Sequence, residues 1–127
     1  LIGTGLKSGL AIGGGIVSFM FGGWTMMLGV LIALVVLDYI TGLTASYIKG
    51  DLSSKHGLKG IAKKVIIFAM VSVGNFIDIA LGSGPFVREA VIIFYVTNEI
   101  ISVVENVGRA GVPIPEKLRK GIKILKK

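Results

Sequence analysis

Cysteine is absent from this chain, and there is one histidine, His56. Disulfides, thiolate metal sites and cysteine nucleophiles are therefore excluded. A lone histidine among lysines and serines reads as a solvated side chain, not a metal ligand. Charge is also scarce, at 17% of the 127 residues, where soluble domains carry about a quarter. The scarcity is uneven, because no charged residue lies in Ser8–Leu37, Val65–Ile77, Ile79–Val87 or Ala90–Asn98. A soluble bundle needs a polar face on every helix, and residues 8–37 offer none.

What is present points the same way. The chain is 53% hydrophobic, with a mean hydropathy of +0.84, the pattern of an all-α, multi-pass membrane protein. The net charge of +7 would suit a nucleic-acid partner, but no nucleic-acid-reading motif accompanies it. In a membrane protein, clustered lysines and arginines report topology instead. Enzymatic signatures are missing as well. Ser102 has no base beside it, and neither Gly3-x-Gly5 nor Gly13–Gly15 sits in a strand–helix context that could cradle phosphate. The sequence predicts no enzyme, no metal and no cofactor.

Spans of about 20 residues fit the hydrocarbon thickness. Two are expected in the C-terminal half, at about 61–81 and 86–108, separated by Gly82-Ser-Gly-Pro85 and ended by Gly111-Val-Pro-Ile-Pro115. Residues 8–48 are too long for one span. Gly22-Gly23-Trp24 is the natural break, since paired glycines weaken a helix and tryptophan favours the interface, giving 8–21 and 25–48. Lys7 before an apolar run resembles a signal peptide, but no small-x-small cleavage site precedes a polar region, so the run reads as a retained span. Gly9-x3-Gly13 and Ala11-x3-Gly15 add the small-residue spacing that permits close helix approach.

Charge sets the orientation. The basic loop 49–60, continuing to Lys63 and Lys64, holds five lysines against Asp51, and the tail 109–127 holds seven basic residues against Glu116. Four spans place both clusters and Lys7 in the cytoplasm, as the positive-inside bias favours, whereas the three-span alternative puts Lys7 outside. Both termini are thus expected to be cytoplasmic. In the tail, Leu118, Ile122 and Leu125 share one face of a basic amphipathic helix, which suits the anionic inner leaflet.

The last span carries a polar stripe. Arg88, Tyr95, Asn98, Glu99, Ser102, Glu105, Asn106 and Arg109 fall within an arc of roughly 120°. Such a stripe faces protein or water, not lipid. It is either a hydrogen-bonded seam inside one subunit or a wall of a water-filled path shared by several subunits. Asp78 and Arg88 flank the Gly82–Pro85 turn and are expected to pair at the outer end. Asp38 and Glu99 lie mid-span, with no lysine or arginine expected at their depth. They must be protonated, hydrogen-bonded by neighbours such as Thr41 or Asn98, or wetted in an assembly. Gly42 and Ala45 share the Asp38 face, as in a closely packed seam. A homo-oligomer is expected.

At these residues the sequence resembles the phage-lysis and toxin-secretion holins of Gram-positive bacteria and their phages. The resemblance lies in Gly22-Gly-Trp24, in LDYITGL (Leu37–Leu43), in GDLSSKHGLKGIAKK (Gly50–Lys64), and in the run from Arg88 to Leu118 that begins REAVIIFYVTNEIISVVENV. The glycine-rich first segment departs from the pattern. The resemblance implies accumulation in the bacterial cytoplasmic membrane, assembly into large lesions, and release of an endolysin or an exported toxin. It also implies that the Asp38 motif and the Arg88–Arg109 stripe are assembly or lumen surfaces. The alternatives are a small oligomeric ion channel or transporter subunit, and an antiholin-like inhibitor.

Overall fold

The computed structural model describes residues 3–126, and five helices occupy nearly all of them. They are α1 (Thr4–Phe21), α2 (Met26–Lys49), α3 (Ser54–Leu81), α4 (Phe86–Arg109) and α5 (Glu116–Leu125). The first four are long and apolar enough to cross a membrane. At 1.5 Å per residue, α1 spans about 27 Å and α2 and α4 about 36 Å.

Local chemistry places the boundaries. The Thr25 side chain caps α2 by accepting from Leu28 N at 3.2 Å, and Ser53 caps α3 by accepting from His56 N at 3.1 Å. The second cap corrects an expectation. Residues 54–60, which charge and composition place in a basic loop, form the first two turns of α3, leaving 50–53 as the connection. Gly57 and Gly60 in these turns pack on Tyr39 of α2, whose hydroxyl donates to Gly57 O at 3.2 Å. Likewise α1 begins at Thr4 and not at Ser8.

The core lies between α2, α3 and α4. Leu28, Leu31 and Val35 meet Ile67 and Val71, with Ile92 and Val96 closing the cluster. Helix α4 packs along both α2 and α3, which touch each other only sparsely. Gly74 permits the α3–α4 approach, since a Cβ there would come within 3.2 Å of Arg88 Cα. The outward faces carry exposed apolar side chains such as Ile32, Val36, Ile66, Val73, Ile93 and Phe94. Such a surface is costly in water and matched to hydrocarbon.

Helix α1 stands apart and buries no residue. Its attachment is confined to its last turn, where Phe19 meets Phe76 and Phe21 meets Phe68 edge to face. These contacts bring the α1–α2 and α3–α4 connections to one end of the bundle. Lys63 and Arg109 line a common cleft at the other end.

Candidate functional site: a charged network inside the helices

The Asp38 carboxylate answers its isolation with three partners. One carboxylate oxygen pairs with Lys64 Nζ. The other accepts from Ser102 Oγ at 2.5 Å and Asn106 Nδ2 at 2.8 Å. Asn106 also donates to Asp38 O at 3.1 Å and to Thr41 Oγ1 at 3.0 Å, so it binds backbone and side chain of α2 together. Thr41 Oγ1 donates back to Leu37 O at 2.7 Å. Lys64 is shared, for its ammonium reaches Glu99 Oε1 at 2.7 Å. Three helices therefore converge on one cation and two carboxylates.

The α4 side of this network follows from helix geometry. Glu99, Ser102 and Asn106 recur at i, i+3 and i+7 and lie on one face. Asp38 and Glu99 expose 6% of their side chains and Lys64 19%, so the pairs are shielded while the lysine stem reaches toward the rim. This overturns the expectation that no lysine or arginine lies at the depth of Asp38 and Glu99. Lys64 continues the basic cluster in sequence, but it sits in the third turn of α3, and its four-carbon stem carries the charge inward. Asn98, expected as a hydrogen-bond neighbour, is exposed.

The polar stripe of α4 divides along its length. Arg88, Glu99 and Asn106 are buried, and Ser102 and Tyr95 are half-buried, so these face the chain's own helices. Asn98, Glu105 and Arg109 form an open edge on one flank. Glu105 is met there by Lys126, just past the end of α5, at 3.2 Å, and Arg109 donates to Asn106 Oδ1 at 3.1 Å. Gly42 lies against the seam, where a Cβ would sit 3.5 Å from Asn106 Nδ2, an ordinary contact.

A second polar cluster holds the opposite end. Asp78 and Arg88 do come together, but the expected ion pair between their side chains is replaced. Asp78 accepts from Ser83 Oγ at 2.7 Å and from the backbone N–H groups of Val87 and Arg88, each at 2.8 Å. It thereby caps α4 from the preceding helix, because Pro85 at the N-cap position offers no side-chain acceptor. The Arg88 guanidinium turns to Glu89 at 2.7 Å and to the carbonyls of Phe21 and Gly22 at 3.0 and 2.8 Å. Asn75 Nδ2 donates to the next carbonyls back, Phe19 O at 2.7 Å and Met20 O at 3.0 Å. The C-terminal carbonyls of α1, which a helix cannot satisfy itself, are thus met by side chains from α3 and α4. Gly22 is confined by this clamp, since a Cβ there would approach Asn75 and Arg88 to 2.5 and 2.6 Å. Asn75 and Glu89 escaped the sequence reading. The signal for Asn75 is an amide alone in the run Val65–Ile77.

These features sit in a chain whose residues 15–127 match the bacteriophage holin family. This chain belongs to that family. Relatives cover nearly its whole length. It is 42% identical over 126 residues to an uncharacterized protein of Halalkalibacterium halodurans, covering 95% of this chain and 93% of that one. It is 45% identical over 119 residues to one of Listeria monocytogenes, covering 94% and 85%. A Clostridium perfringens protein from the nagH 3′ region is 37% identical over 121 residues, covering 94% and 92%. No solved structure matches the chain. As a holin-family protein with four apolar helices, it is a multi-pass membrane protein. The family match takes in α2–α5 entire, with every residue of the charged network, but only the last turns of α1.

Proposed function

We propose that this holin-family chain oligomerises in the bacterial cytoplasmic membrane and opens lesions wide enough to release a folded endolysin or a secreted toxin. The observation that carries this reading is the open edge of α4. Asn98 lies at the middle of an apolar spanning helix and is exposed on the single chain. A polar group at that depth is stable against protein or water, not against lipid tails. Contact between copies along Asn98, Glu105 and Arg109 hides the edge before lesions open. In the opened assembly the same edge lines the lumen.

The charged network accounts for how the subunit waits. Lys64, Ser102 and Asn106 hold Asp38 and Glu99 in a shielded seam, so both mid-span acids are hydrogen-bonded to a shared cation. The connection 50–53 with the lysines that flank it, Lys49 on α2 and Lys55 and Lys59 in the first turns of α3, and the tail from Arg109, face the cytoplasm. Helix α5 lies on the anionic inner leaflet with its lysines outward. Charges inside the field also couple opening to membrane potential, at about 2.3 kcal/mol per full charge moved across 100 mV.

The test is induced expression in a bacterium carrying cytoplasmic reporters of graded size, with membrane potential recorded alongside. The expected result is an abrupt loss of potential together with release of a folded, endolysin-sized protein. Depolarisation with release of ions and small dyes alone would contradict the large-lesion reading and favour a narrow channel.

A further inference from the structure

The basic end of the bundle contains a cleft that the network does not use up. It has a volume of about 220 Å³ and opens between α2, α3 and α4, directly over Asp38 and Lys64. Its walls carry Lys59, Lys63 and Arg109. Lys64 at the floor is committed to Asp38 and Glu99, and Arg109 gives one bond to Asn106. Lys59 and Lys63 are exposed and form no ion pair among the described residues. The cleft therefore presents three cations toward a space whose one carboxylate, Asp38, already pairs with Lys64.

A second feature adjoins it. Tyr39 and Lys64 line both the cleft and an apolar groove of about 270 Å³ between α2 and α3. The groove runs past Val36, Ile40, Ile61, Val65 and Phe68. It exists because α2 and α3 close on each other at Tyr39, through Gly57 and Gly60, and touch only sparsely beyond. From Ile61 to Phe68 it extends about 10 Å along the helices, away from the basic end. A charged recess joined to an apolar channel aimed at the bilayer interior has the outline of a lipid.

We propose that this cleft and groove bind one anionic phospholipid, with its phosphate among Lys59, Lys63 and Arg109 and an acyl chain against Val36, Ile61 and Val65. A phosphodiester brings a negative charge to three cations, and the chain fills a groove that has no polar group to offer water. A zwitterionic lipid is disfavoured because its ammonium would meet the same lysines. The site is distinct from the α5 surface, which faces the leaflet from outside the bundle. The inference rests on the reading that α1–α4 span the membrane with this end in the inner leaflet.

Native mass spectrometry of the full chain, extracted in mild detergent with equimolar phosphatidylglycerol and phosphatidylcholine, tests it. The chain is expected to retain phosphatidylglycerol about tenfold better, and Lys59→Gln with Lys63→Gln to bring the two within about twofold. Val65→Trp, which fills the groove, is expected to reduce phosphatidylglycerol retention, while Lys7→Gln on α1, which lines neither the cleft nor the groove, leaves it unchanged. Inorganic phosphate should fail to displace the lipid. Equal retention of both lipids, or an unaltered preference in the Lys59 and Lys63 variant, would overturn the site. Displacement by phosphate would replace the lipid with a free anion. A chain that leaves the membrane fraction without detergent would defeat the spanning reading as well, whereas an inserted chain without the preference defeats this site alone.

Discussion

Helix α1 and the α2–α4 bundle are both apolar, yet they are held in different ways. The bundle is knit by a shared core and by Asp38, Lys64, Glu99, Ser102 and Asn106 across its seams. Helix α1 contains five glycines, buries nothing, and is fastened at one end by Asn75, Arg88 and two aromatic contacts. The family match tracks this division, starting at residue 15 and taking in the fastened end. Apolar composition brings a helix into the membrane, but specific polar contacts decide where it sits. In hydrocarbon there is no hydrophobic drive between helices, so packing and hydrogen bonds carry the assembly.

Four single substitutions and one combined variant probe that contrast, the single ones in falling order of effect. Lys64→Ala leaves Asp38 and Glu99 without their cation and should destabilise the bundle by about 3–5 kcal/mol, seen as a lowered Tm in detergent. Adding Asp38→Asn and Glu99→Gln to Lys64→Met should restore most of the loss, because the uncompensated charges are gone. Arg88→Gln should cost about 1–3 kcal/mol by freeing two α1 carbonyls and Glu89. Its signature is regional: spin-label distances from Leu10 to the bundle broaden, while distances between α2 and α4 hold. Asp78→Ala removes the cap of α4 and should cost about 1–2 kcal/mol, with faster amide exchange confined to its first turn. Gly14→Ala should be neutral or stabilising by up to about 1 kcal/mol, since nothing lies within 4 Å of an added Cβ. A large loss there would mean that α1 is packed after all.

The sequence reading succeeded where a helix reports on itself. The breaks at Gly22–Trp24, Gly82–Pro85 and Gly111–Pro115 separate the helices, and four apolar segments match four helices. It fell short where a side chain acts on another helix. Lys64 looked like a loop residue because periodicity records the face on which a Cα lies, not the reach of a lysine stem into a neighbouring seam. Asp78 and Arg88 flank one turn in the sequence, but spacing cannot say that the acid takes backbone N–H groups while the guanidinium crosses to α1. The stripe on α4 was legible as one feature. Its division into a buried side and an open edge depends on α2 covering only part of the arc.

The central claim is that the open edge of α4 faces water once lesions form. The natural absence of cysteine allows each position to be examined singly. Asn98→Cys and Ile93→Cys, on opposite flanks of α4, would be exposed in turn to a membrane-impermeant thiol reagent before and after lysis begins. The account predicts that position 98 is labelled only after lesions open and that position 93 stays unlabelled throughout. An unlabelled position 98 in lysing cells, or equal labelling at 93, would contradict it.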